Sequence, residues 1–130
     1  MTIYEILTEL KTALETAGTS FDIKLEISQT DVETILATNK GNDTIFINCN
    51  GVNALTRFSE NNGAFYAPQL DIFVISKNLD VNGFPSDLTD ETELVFDTLT
   101  STFGQCGNIL FNKYSGNYYY ARFSLTYLKA

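Results

Sequence analysis

Histidine is missing from this sequence of 130 residues. Its absence removes the side chain that titrates near neutral pH, and with it every Ser–His or Cys–His pairing and the commonest metal ligand. Cysteine is almost missing: Cys49 and Cys106 have no metal-ligand spacing and no sequence neighbour that would clearly lower a thiol pKa. Both read as small structural residues that stay reduced. Basic residues are scarce, 8 Lys and Arg against 16 Asp and Glu, and the formal net charge of −8 is the wrong sign for a clamp on phosphates. No glycine-rich phosphate loop occurs. No apolar run reaches the length of a membrane span, since the strongest, 70–75, is short and holds Asp71. The start, Met1-Thr2-Ile3-Tyr4-Glu5, lacks the basic and apolar stretches of a secretory signal, which predicts residence in the cytosol. These absences predict a chain with no catalytic residue, no cofactor and no metal, and without nucleic-acid or membrane partners.

Large apolar groups are abundant. Ten Phe and seven Tyr against only two Pro describe an ordered globule rather than a disordered chain. The length suits a single domain, 1–130, able to bury roughly two thirds of the surface its unfolded form exposes.

Ile3, Ile6, Leu7, Leu10, Ala13, Leu14 and Ala17 recur at helical spacing, with Thr2 and Glu5 as a capping box and Gly18 as a stop. They predict a helix over 2–17. Phe21, Ile23, Leu25 and Ile27 alternate with polar residues, as a half-buried strand does. A capping-box spacing from Thr30 to Glu33, with Val32, Ile35 and Leu36, predicts a short helix or helical turn. Runs at 44–49 and 70–76 are β-branched and aromatic, and the polar stretch around 60–63 joins them as an exposed loop or irregular hairpin. Leu88, Val95, Leu99 and Phe103 fall on one helical face behind Asp87, Asp90 and Glu91, and Gly104 ends that helix. Strands at 108–113 and 118–128 flank Tyr114-Ser115-Gly116-Asn117, a hairpin signal. In the last strand Tyr119, Ala121, Phe123, Leu125 and Tyr127 form the core face. The fold class is α+β, a mixed or mostly antiparallel sheet with two main helices packed on one face.

Two segments imitate metal sites. Residues 80–91 repeat oxygen-bearing side chains and close on Glu91, but an EF-hand needs glycine at the sixth position, where Pro85 stands, and a ligand at the fifth, where Phe84 stands. This segment is better read as a loop leading into a capped helix. Asp22-Ile23-Lys24 has the acid-x-lysine step of metal-dependent nucleases, yet its only upstream carboxylates lie on the first helix. Alternating exposed charges on a strand account for it.

Other features point to contact. The run 70–75 would template aggregation as a bare sheet edge, so it must be central in the sheet or covered by a partner. Leu79, Val81 and Phe84 put apolar side chains in a loop, where they either fold back on the core or meet a partner subunit. Tyr118, Tyr120 and Arg122 share one face of the last strand. They are either ordinary β-forming residues or part of an interface to a protein or glycan.

The order of elements, with the strand Phe73-Val74-Ile75-Ser76-Lys77-Asn78-Leu79 followed by a loop, a helix and a closing hairpin, resembles small tail proteins of tailed bacteriophages. It is most similar to the Mu-type minor tail family, in which a hydrophobic strand ends in a basic-Asn-Leu step, and to the tail-terminator fold. Lys77 stands where Arg is commoner, and the region 30–62 has no counterpart. The resemblance implies a structural homo-oligomer, typically a hexameric ring, that meets the tail tube or the head-tail connector. Such a chain resides in the host cytoplasm during assembly and then in the virion. A lumen rich in carboxylates would let DNA slide past without sticking.

Overall fold

The computed structural model describes residues 2–27, 43–55, 65–114 and 118–127. The short helix expected near 30–36, the loop at 60–63 and the hairpin turn at 115–117 lie outside them. The described residues form a single α+β arrangement of α1 (Ile3–Ala17), β1 (Asp22–Ile27), β2 (Thr44–Leu55), β3 (Phe65–Ser76), α2 (Ser86–Thr102), β4 (Gly104–Cys106), β5 (Leu110–Tyr114) and β6 (Tyr118–Tyr127).

The capping box of α1 is closed in both directions. Glu5 N–H donates to Thr2 Oγ1 at 3.1 Å, and Thr2 N–H donates to Glu5 Oε1 at 3.3 Å. Gly18 ends the helix at φ 96°, a left-handed conformation that glycine adopts without steric cost. α2 begins differently from expectation. Pro85 occupies the N-cap and supplies no side-chain hydrogen bond. Asp87 in the first turn and the Thr89 hydroxyl on Ser86 O do what local stabilisation there is. The helix also stops one residue early, on Phe103, and Gly104 is the first residue of β4.

The strands form a mixed sheet in the order β1-β2-β3-β6-β4, with β5 on the same side of β6 as β4. β1 runs parallel to β2, and every other pair is antiparallel. The aggregation-prone run 70–75 is therefore central, bonded to β2 on one side and β6 on the other. The sheet itself answers the need to cover it, and no partner is required for that purpose. β2 and β3 extend well beyond the runs expected from sequence, through a register shift at Cys49/Gly51.

The helices share one face of the sheet. Leu7, Leu10 and Leu14 of α1, and Leu88, Val95 and Leu99 of α2, meet alternate residues of the strands, among them Ile45, Ile72, Val74, Ala121, Phe123 and Leu125. Phe96 stands edge-on to Phe123 and Phe103 stacks on Tyr127, adding directional contacts to the burial. The core face of β6 is the one the alternation predicts, with Tyr119 half-buried beside it.

Ile27 departs from its pattern and is 66 % exposed. It is the last residue of β1, which among the described residues has a neighbouring strand on one side only. The reverse face holds a second, smaller cluster of Phe46, Phe73 and Ile75, all buried, against which Tyr118 and Tyr120 pack. Phe46 and Phe73 are direct cross-strand partners, and Arg122 is the partner of Phe73 on the next strand.

Candidate interaction surface

Between β3 and α2 the chain makes a tight loop. The Asp80 carboxylate accepts the N–H groups of Asn82 at 2.8 Å and Phe84 at 3.0 Å, while Asp80 N–H donates to Phe84 O at 2.8 Å. Gly83, at φ 80°, permits the reversal and donates to Asp80 O. At the loop's start Asn78 Nδ2 donates to Asp43 Oδ2 at 2.9 Å, tying it to the residue before β2. This wiring holds three large apolar side chains in water: Leu79 is 49 %, Val81 100 % and Phe84 54 % exposed. Of the two readings open from sequence, the side chains do not fold back on the core.

In the segment that imitates a calcium loop the two end carboxylates are engaged elsewhere. Asp80 turns inward on its own backbone, and Glu91 accepts a hydrogen bond from the Thr19 hydroxyl at the far end of α1. Among the described residues no three Cys, Asp or Glu side chains converge as metal ligands would. Asp22 and Lys24 point outward from edge strand β1, beside a recess of about 570 Å³ shared with Lys11, Glu15 and Thr19.

Tyr118, Tyr120 and Arg122 are positioned by packing. The two tyrosines lean on the Phe46, Phe73 and Ile75 cluster and are half-buried. Arg122 lies over the Phe73 ring at 5.2 Å and donates from Nη2 to Asp71 Oδ2 at 3.3 Å. Asp71 also accepts from Asn50 Nδ2 at 2.5 Å, so the charge inside the central strand has two partners. A recess of about 530 Å³ runs along α1 past Tyr4, Thr8, Glu9 and Phe103. Its Glu9 carboxylate accepts the Tyr127 hydroxyl at 3.3 Å. Burial, then the Glu9 charge, then this hydrogen bond hold the Tyr127 phenol above its ordinary pKa.

Cys49 and Cys106 occupy one row of the sheet, Cys49–Leu70–Leu125–Cys106. Three strand spacings, about 14 Å, separate them, twice the reach of a disulfide. Burial pushes the Cys106 thiol up, against a smaller opposing effect of Thr100, which makes it a poorer nucleophile.

Two features escaped the motif reading. α2 presents Asp87, Asp90, Glu93 and Asp97 on its exposed side, opposite its buried stripe, without one basic residue in the helix. From Gly104 onward the chain has Lys113, Arg122 and Lys129 and not one Asp or Glu. The strands β4 and β5 at one margin of the sheet hold no carboxylate of their own, although acidic α2 packs over β4, and there Leu110 is 59 % and Phe111 52 % exposed. Its opposite margin, β1 with α1 above it, carries Glu9, Glu15, Asp22 and Glu26 against Lys11 and Lys24. The signal was in the sequence as a carboxylate-free final segment behind an acidic helix.

No helix among the described residues is long and apolar enough to cross a membrane. Neither protein-family models nor curated proteins give a match to this chain.

Proposed function

We propose that this chain is a structural subunit of a phage tail, a tail terminator or head-tail joining protein, and that it works by self-association and docking rather than by catalysis. The observation that carries this reading is the loop 78–84: three large apolar side chains kept in solvent by a hydrogen-bonded turn. An apolar knob already fixed in shape loses little conformational entropy when a partner covers it, so its burial goes mostly into affinity. The acidic outer side of α2 supports the same reading. Turned towards a channel, four carboxylates and no base would repel passing DNA. The likeness in element order and in the step from Ser76 to Leu79 supplies the tail context.

The rival reading, a module that recognises a protein or glycan through Tyr118, Tyr120 and Arg122, is weakened by what those side chains already do. The tyrosines cover the reverse-face cluster, and Arg122 is bonded to Asp71. The test is light scattering of the purified chain over a wide concentration range, together with a Val81→Asp, Phe84→Asp double variant. A concentration-dependent oligomer that the variant fails to form supports the proposal. A monomer throughout, with a ligand-binding defect confined to Tyr120→Ala, favours the rival.

A further inference from the structure

An asparagine followed by glycine carries the means of its own modification. The chain has three such steps, Asn50-Gly51, Asn62-Gly63 and Asn82-Gly83, of which the second lies outside the described residues. In such a step the backbone nitrogen of the glycine attacks Cγ of the asparagine carboxamide, and glycine has no side chain to crowd the approach. A bond forms between that nitrogen and Cγ, and the bond from Cγ to Nδ2 breaks. The side-chain nitrogen leaves as ammonia, taking the proton of the glycine N–H. Water then opens the five-membered imide at one of its two carbonyls, which gives either aspartate or an isoaspartyl linkage whose main chain runs through Cγ. Water enters and ammonia departs, and nothing is oxidised or reduced.

The fold treats the two described steps differently. Asn50 lies within β2 and is half-buried, its carboxamide donates to Asp71 Oδ2 at 2.5 Å, and Gly51 faces Gln69 across the ladder. Cyclisation there requires β2 and β3 to part. Asn82 stands exposed in the loop between β3 and α2. What restrains it is a clasp made by one residue. The Asp80 carboxylate accepts the Asn82 and Phe84 N–H groups, and the Asp80 carbonyl accepts the Gly83 N–H at 3.0 Å, so the nitrogen that must attack is tied down. An exposed turn held by a few solvated hydrogen bonds opens at far lower free energy than a ladder inside the sheet. We propose that Asn82 is a site of spontaneous deamidation in the folded chain, and that Asp80 sets its rate through the clasp. Conversion puts a carboxylate between Val81 and Gly83. The isoaspartyl product also lengthens the main chain inside the turn, so the clasp no longer closes as before. This chemistry needs no partner and does not depend on the assembly reading above.

The experiment incubates the full chain in mildly alkaline buffer, once folded and once in urea, beside an Asp80→Ala variant whose folding is checked by circular dichroism and a thermal melt. Peptide mapping by mass spectrometry follows the exchange of the side-chain NH2 for OH at Asn50 and Asn82, and fragmentation distinguishes isoaspartate from aspartate. In urea both positions should convert. In the folded chain Asn82 should convert more slowly than in urea, and Asn50 should stay intact. Asp80→Ala should raise the rate at Asn82 several-fold, towards the urea rate, and leave Asn50 as it was. The site is overturned if Asn82 remains intact in the folded chain over the period in which urea converts it, or if Asn50 converts as fast as Asn82. The role of Asp80 is overturned if Asn82 converts at one rate in the variant and the unaltered chain. Should the variant fail to fold, the comparison of Asn82 with Asn50 inside the unaltered chain still decides the site, and Asp80→Asn, which keeps the side-chain acceptor oxygen but removes its charge, replaces it in the rate comparison.

Discussion

Asp71 shows how a charge is tolerated in the strand that most needs to be apolar. It points away from the helices, is 9 % exposed, and is held by Asn50 and Arg122, while Arg122 stays half in solvent over Phe73. Asp71→Ala leaves both partners unsatisfied and should cost about 1–3 kcal/mol in urea unfolding. A loss below experimental error would mean that neither hydrogen bond persists in solution. Tyr127 supplies a pH-dependent counterpart. Its folded pKa lies above the unfolded value of about 10, so the folded state holds the phenolic proton more tightly. That stabilisation is complete below the unfolded pKa and is lost as pH rises through the folded one. Melting temperature should therefore fall on the alkaline side of pH 10, and Tyr127→Phe should show a smaller alkaline fall than the unaltered chain. An equal fall in both would place the titration elsewhere.

The helices contrast in how their ends are secured, and this contrast decides what could be read in advance. The ends of α1 are written in local chemistry, Thr2 with Glu5 and then Gly18, and the helix starts and stops there. Thr2→Ala opens the reciprocal cap and should lower stability by about 1 kcal/mol, measured by denaturant titration; no change would show that the cap is frayed in solution. α2 has no side-chain cap, and its place is set by Leu88, Thr92, Val95 and Leu99 against the sheet, so the buried stripe was legible while the termini were not. Alternation gave the faces of β6 because each inward residue meets the helices. It misjudged Ile27, since period alone says nothing about whether a strand lies at an edge. β4 was missed because three residues carry no period. Sheet order was invisible for a deeper reason: the parallel β1–β2 pair and the return of β6 beside β3 join segments distant in sequence.

For the whole molecule, the candidate contact surface divides the same way. Leu79, Val81 and Phe84 stood out in the sequence because apolar residues in a loop conflict with the usual polarity of loops. Their exposure followed from Asp80 folding the loop on itself, which local letters only hint at. Replacing Val81 and Phe84 by Asp should leave stability within about 0.5 kcal/mol, since both are exposed, and remove higher-order assembly. The most direct measurement is sedimentation velocity on the unaltered chain from low micromolar to millimolar concentration. A folded subunit built to meet copies of itself passes from monomer to a defined larger species that does not grow further as concentration rises. A single monomer boundary across the entire range would contradict it.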